Sequence, residues 1–189
     1  MFARTLLHCR ALALLLVLLI TAQVHAQRFT VKLSGSVTQL MSGDPVSDVL
    51  VRVVKAGQDD AQSTTKKDGF YKFDLEKGWK YVVWFSKEGM ITKHVIIDTR
   101  KIPAYPDVPF YDMDLQITMF PWIADFDFSA FDQPLGEAGY KPSVRNMSWD
   151  MPYTEQQRPV FSKIMDEYVK TTKGYYKRKG GRQRDASER

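Results

Sequence analysis

Four carboxylates, Asp125, Asp127, Asp132 and Glu137, fall close together late in the chain. Two carboxyl groups flanking a glycosidic bond can serve as acid and base, so this run defines one enzymatic reading, a carboxylate-dependent polysaccharide hydrolase. Spacing alone marks neither a cleft nor a raised pKa, and acids set among apolar rings equally describe solvated groups on a packed segment. The Asp-Phe-Asp-Phe-Ser-Ala-Phe-Asp run from Asp125 also lacks the glycine-centred spacing of a calcium loop, so no metal site is expected. His94 stands beside Lys93 in a strand-like run and reads as a surface or half-buried side chain rather than a general base. No Gly-x-Gly-x-x-Gly and no glycine-lysine-serine or -threonine ending occurs, so no cofactor is implied and no catalytic residue is assigned.

The rings interleaved with those acids are the stronger signal. Phe120, Trp122, Phe126, Phe128, Phe131, Tyr140 and Trp149 make 120–152 too apolar for a disordered linker. One outcome is a segment that wraps the body of the protein and buries its rings against outward-facing Val82 and Trp84. The other is a platform for a sugar or an extended peptide, with Trp122, Phe126, Phe128, Phe131 and Tyr140 as the candidate binding surface.

The two ends of the chain set the compartment and the charge. Arg4 and Arg10 precede the apolar run Ala11–Ile20, and Val24-His25-Ala26 follows it. That is the layout of a secretory signal peptide over 1–26, cleaved after Ala26; the run is short of the roughly 20 residues needed to span a bilayer. Cleavage removes Cys9, the only cysteine, together with His8 and His25. The remaining chain has no thiol for a disulfide, a nucleophile or a metal, and too few histidines for a multi-histidine zinc site. The full chain carries 27 basic and 22 acidic residues, but the last twenty residues hold eight basic against two acidic, which leaves 27–169 net acidic. The basic character therefore belongs to a tail at 174–189, expected to be disordered and able to touch an anionic surface.

Between these ends the pattern is that of strands. Phe29–Leu40, Val49–Val54 and Ile91–Asp98 read as strands, with a weak edge strand near Ser63-Thr64-Thr65, and Tyr111–Met119 alternates most cleanly and reads as the last strand. Ile102–Pro109 contains three prolines and reads as a crossing loop. At the centre, Tyr71, Phe73 and Leu75 alternate with polar residues, as do Tyr81, Val83 and Phe85 after the break at Lys77-Gly78. This predicts a β-hairpin over 70–86 whose inner face lies against another sheet. Asp68-Gly69 just before it is a turn pair that tolerates positive φ. Short strands at roughly ten-residue intervals indicate a mainly β, antiparallel sandwich or barrel. Tyr153–Lys173 reads as an amphipathic helix that starts either at Pro159 or at a Thr154/Gln157 capping box, buries Val160, Phe161, Ile164 and Tyr168, and ends at Gly174.

Several stretches in this order carry a resemblance: Gly35-Ser36-Val37, Ser42-Gly43-Asp44-Pro45 running on through Val51, Asp68-Gly69-Phe70-Tyr71-Lys72-Phe73, Tyr81-Val82-Val83 and Ser86-Lys87-Glu88-Gly89. Over about residues 30–98 the chain resembles the carboxypeptidase regulatory-like domain, departing from it at Met90, where the family often has an aromatic. The resemblance implies a transthyretin-like sandwich of about seven strands, placed here at 27–120, in an exported bacterial protein, and it transfers no catalytic residue. The expected organisation is then that sandwich, an aromatic-rich wrap over 121–152, a helix over 153–173 and the basic tail. The expected function is a non-enzymatic envelope module, periplasmic or secreted, with a protein or glycan partner; nucleic acid is disfavoured in an exported chain.

Overall fold

The computed structural model describes residues 29–187, with side chains described as far as Lys173. The expected signal peptide, with Cys9, His8, His25 and the cleavage point, lies outside the described residues. The described chain is mainly β: two sheets form a sandwich, followed by one long C-terminal helix.

β1 (Thr30–Gln39) is the centre of the first sheet. Its alternation puts Val31, Leu33 and Val37 inside. β4 (Phe70–Glu76) pairs antiparallel on one side of it, and β7 (Phe110–Asp114) and β8 (Ile117–Met119) pair parallel with it on the other. The second sheet runs β10 (Asn146–Trp149), β9 (Glu137–Lys141), β6 (Lys93–Asp98), β5 (Lys80–Ser86), β2 (Leu50–Lys55) and β3 (Gln58–Thr64). β3 is longer than the edge strand expected near Ser63, and its polar side chains stand almost wholly in water.

The expected hairpin is not formed. β4 pairs with β1 in the first sheet, whereas β5 lies between β2 and β6 in the second, so Lys77–Trp79 crosses from one sheet to the other. The crossing is tied to the second sheet by Gly78 N–H donating to the Thr99 carbonyl at 3.0 Å. The period-two pattern had the buried sides right, since Tyr71, Phe73, Tyr81 and Phe85 are all inside. It had the neighbours wrong, because alternation names a face and leaves the pairing partner open. The consequence is that the rings meet across the sandwich, with Tyr71 and Phe85 edge to face at 5.2 Å.

Three further expectations change. The run Tyr111–Met119 is two short strands that pair parallel with β1, so the sandwich is not purely antiparallel. Nor is it the last strand, because β9 and β10 form a hairpin inside the supposed wrap and extend the second sheet, with β9 parallel to β6. Ala138 and Met147 from that hairpin join the main core, so the described residues form ten strands where about seven were expected, and the second sheet continues past 120. The wrap expected over 121–152 is thus part sheet and part aromatic cluster, and Val82 and Trp84 are not in that cluster.

The helix α1 spans Met151–Ser187. Asp150 precedes it, its carbonyl accepting from Thr154 N–H at 3.0 Å and its carboxylate from Tyr153 N–H at 3.4 Å. The start is therefore earlier than either predicted cap, and Pro159 lies inside the helix. The helical backbone also continues through Gly174 to Ser187, beyond the expected end at 173; the side chains of the expected tail lie outside the described residues. Gly174, Gly180 and Gly181 each cost about 1 kcal/mol relative to alanine, partly offset by the Lys, Arg and Gln residues around them, which are good helix formers. Phe161, Ile164 and Tyr168 pack inward as expected, joined by Met165, but Val160 is exposed. No helix among the described residues is long and apolar enough to cross a membrane.

Candidate functional site

The aromatic segment and α1 build a second, smaller core at one end of the sandwich. Phe120 is its centre, fully buried, with Tyr168 at 4.6 Å, Phe131 at 5.4 Å and Phe128 at 6.1 Å between ring centroids. Phe126 packs on Phe128 at 4.7 Å and Phe131 on Phe161 at 5.5 Å. Ile91, just before β6, closes the cluster from the sandwich side. The Tyr168 hydroxyl donates to the Pro121 carbonyl at 2.8 Å, which locks the helix to the residue before Trp122.

The five candidate binding residues therefore divide. Phe131 is buried and Phe126 and Phe128 are half-buried within the cluster. Tyr140 lies on β9 away from them, its ring 5.8 Å from Tyr111. Trp122 alone stands out, 58% exposed, while its backbone N–H is held by the Gly89 carbonyl at 2.9 Å. The carboxylates divide as well. Asp125 and Asp127 line a groove of about 430 Å³ with Phe126, Glu167, Lys170 and Thr171. Glu137 lines a different groove, of about 250 Å³, with Asp98, Lys101, Tyr140, Lys141 and Asp150, and Asp132 lies on the short 3₁₀ turn Ser129–Asp132. Asp127 accepts from Ser129 N–H at 2.9 Å, and that hydrogen bond holds its carboxyl below the usual range.

Sequence reasoning missed Lys93. On a strand edge a lysine reads as a solvated charge, yet this one is 5% exposed, directed inward beside Val95 and Ile97. Its ammonium lies 4.3 Å from the Phe120 ring centre and 5.1 Å from that of Phe131, and donates to the Thr118 carbonyl. Burial pulls its pKa down to about 8. The aromatic faces and one carbonyl stabilise the cation but do not replace water fully. Below about pH 8 the folded state carries a charge it disfavours; from there towards 10.5 the unfolded chain binds more protons, so stability rises with pH. Above about pH 10 Tyr81 opposes this, its own pKa pushed up to about 12 mainly by burial. Lys93→Met should remove the rise between pH 8 and 10 and raise neutral-pH stability by about 2–3 kcal/mol, less whatever the unpaired Thr118 carbonyl costs. Urea unfolding of both proteins across that range checks it.

His94 points to the other side of β6, stacked on Trp84 at 4.2 Å and 6% exposed, and its Nδ1 has no hydrogen-bond partner among the described residues. Burial lowers its pKa, and the Asp132 carboxylate partly opposes that. The unfolded histidine takes a proton first as pH falls below about 6.5, so stability is full above that value and declines below it. His94→Gln is expected to flatten this acid limb between pH 7 and 5. Tm followed over that range reads the difference.

Among the described residues no group of three or more histidine, cysteine, aspartate or glutamate side chains is placed to hold a metal. No protein-family model matches the chain, and no curated protein matches it in sequence. Solved structures with partial similarity to the chain include 3-chlorocatechol 1,2-dioxygenase from Rhodococcus opacus 1CP, at 12% identity and TM-score 0.37 over 49% of this chain and 60% of that one. They also include 5-hydroxyisourate hydrolase from Klebsiella pneumoniae, at 16% and 0.33 over 49% and 88%, and the pilus 2b backbone protein of group B streptococcus, at 10% and 0.33 over 48% and 40%. The chain spans less than two thirds of the dioxygenase and of the pilus protein. At these scores the class of this protein, a two-sheet β-sandwich with a C-terminal helix, rests on its own strand pairing.

Proposed function

We propose that this chain is an exported, non-enzymatic module of the cell envelope, of the carboxypeptidase regulatory-like kind, that binds a protein or glycan partner through the surface around Trp122. The observation that carries this reading is Trp122 itself, an exposed indole on a segment whose neighbouring rings are locked into a core. An aromatic held in place loses little entropy on contact, which is why such rings anchor partners and stack on sugars. Export rests on the leader-like N-terminus. The hydrolase alternative would use Asp125 and Asp127 in their shared groove; the Ser129 hydrogen bond that lowers the Asp127 pKa leaves it unsuited to the general-acid role.

Trp122→Ala is expected to weaken retention of the purified chain on immobilised envelope protein or envelope glycan about thirty-fold, roughly 2 kcal/mol, with Tm unchanged. Equal retention of the variant and the parent on both matrices would overturn the reading. Deleting 120–152 is no substitute, because it takes Phe120, Phe131, Ala138 and Met147 out of the two cores.

A further inference from the structure

We infer that two copies of this chain associate through β4, edge to edge and antiparallel about Phe73, so that Lys72 of each copy faces Asp74 of the other. β4 ends the first sheet, with β1 on one side and no strand on the other among the described residues. The remaining edges are blunted. β7 and β10 are short, and β3 carries a bulge in which Asp60 is the extra residue, beside exposed Asp59. β4 instead pairs with β1 from Phe70 to Glu76 without a register shift, so its outer edge is long and regular.

The backbone parity of β4 fixes which groups that edge offers. Val37 N–H donates to the Gly69 carbonyl at 3.0 Å, and in the same register Gly35, Leu33 and Val31 stand opposite Tyr71, Phe73 and Leu75. Those odd-numbered residues therefore exchange hydrogen bonds with β1, while the N–H and C=O of Phe70, Lys72, Asp74 and Glu76 point away from it. The ends of this outward row are tied within the chain. Phe70 N–H donates to the Asp68 carboxylate at 3.0 Å, and the Glu76 carbonyl accepts from the Thr99 hydroxyl at 2.8 Å and from the Tyr81 hydroxyl at 3.1 Å. Between them lie Lys72 and Asp74, both with exposed side chains and with no strand facing them among the described residues.

A second copy of the same edge satisfies these groups in one register. A two-fold axis through this stretch falls at Lys72, Phe73 or Asp74, since outward-facing residues must meet outward-facing residues. Centred on Lys72 it sets two ammonium groups together, and centred on Asp74 two carboxylates. Centred on Phe73 it sets Lys72 opposite Asp74 on both sides of the axis. Lys72 N–H then donates to the Asp74 carbonyl of the second copy, Asp74 N–H donates to its Lys72 carbonyl, and the second copy returns both. In this register Phe70 N–H comes opposite the Glu76 carbonyl of the second copy, and these are the two groups each chain already supplies with partners. The charges that exclude the neighbouring registers thus make this one self-complementary.

The test is sedimentation equilibrium of the chain from Gln27 to Arg189, which holds every described residue. The mean mass is expected to rise from one chain toward two as concentration climbs from about 10 μM to about 1 mM, the range of a small interface. Lys72→Asp and Asp74→Lys should each weaken association at least about ten-fold at low salt, because each sets like charges opposite one another on both sides of the axis. The chain carrying both substitutions restores the opposite pairs and is expected to return to within about three-fold of the parent. These side chains are exposed, so Tm at a concentration where the parent is monomeric should stay within about 3 °C in all three variants. A parent that remains one chain up to about 1 mM overturns the inference. So do single variants that associate as well as the parent, or a double variant that does not recover, since the contact would then lie elsewhere on the molecule. Trp122 takes no part in this edge, so failure here leaves it intact as a partner site.

Discussion

Phe120→Ala is expected to lower stability by about 3–5 kcal/mol, the cost of emptying a fully buried aromatic site. Its neighbours come from three places in the chain: Lys93 on β6, Phe128 and Phe131 on the aromatic segment, and Tyr168 on α1. Removing the ring leaves a cavity at their meeting point and takes away one of the two aromatic faces over a buried ammonium. The loss should therefore be uneven, with amide hydrogen exchange rising most in α1 and 120–135 and least in β2 and β5, which belong to the other core. Phe120→Leu, which keeps most of the volume, should recover more than half of the loss in urea unfolding. Uniform exchange across both cores would show that the two unfold together and that the smaller core is no separate unit.

Gly35→Ala is the second large effect, expected to cost about 3 kcal/mol through overpacking against backbone. A Cβ at this position would lie 1.9 Å from the Leu115 carbonyl oxygen and 2.7 Å from its carbon. Neither atom can yield cheaply. Leu115 N–H donates to the Ser34 carbonyl at 2.9 Å, and the Leu115 carbonyl accepts from the buried Tyr71 hydroxyl at 2.6 Å. The chain at Leu115 therefore lies directly over Gly35, at the break between β7 and β8. Ser36→Ala, one residue along on the outer side of β1, should change stability by less than about 0.5 kcal/mol. Denaturant unfolding of the pair separates a backbone clash from a general intolerance of β1 to substitution.

Much of this architecture was legible beforehand, for reasons that can be traced to single residues. Tyr71, Phe73, Leu75, Tyr81, Val83 and Phe85 are placed inside by alternation alone, and all are buried. The inward face of the helix was read correctly through Phe161, Ile164 and Tyr168, while Val160 was not, since it lies at the margin of that stripe and the aromatic segment does not reach it. The strands within 137–149 are not legible in the sequence, because Gly139, Pro142 and Asn146 are turn formers rather than strand formers, and short strands are stabilised by their pairing partner more than by their own propensity. The candidate surface was only partly legible. Its five aromatic residues are equally apolar in the sequence, and what leaves Trp122 exposed while burying Phe131 is the passage of α1 over one and not the other. Lys93 carried no signal at all, because a lysine on a strand looks the same whether its neighbours in space are water or phenyl rings.

By itself the sequence determined which side of each strand turns inward, where the chain can bend, and that positive charge is gathered at one end. These follow from local periodicity, backbone preference and simple counting. Only the tertiary structure decided that β4 and β5 part into different sheets, that a glycine in β1 is needed under Leu115, and that a lysine is enclosed by Phe120 and Phe131. Each of these depends on which distant segment arrives as the neighbour, and hydrogen-bonding backbone and apolar surface accept many neighbours until packing of the whole chain selects one.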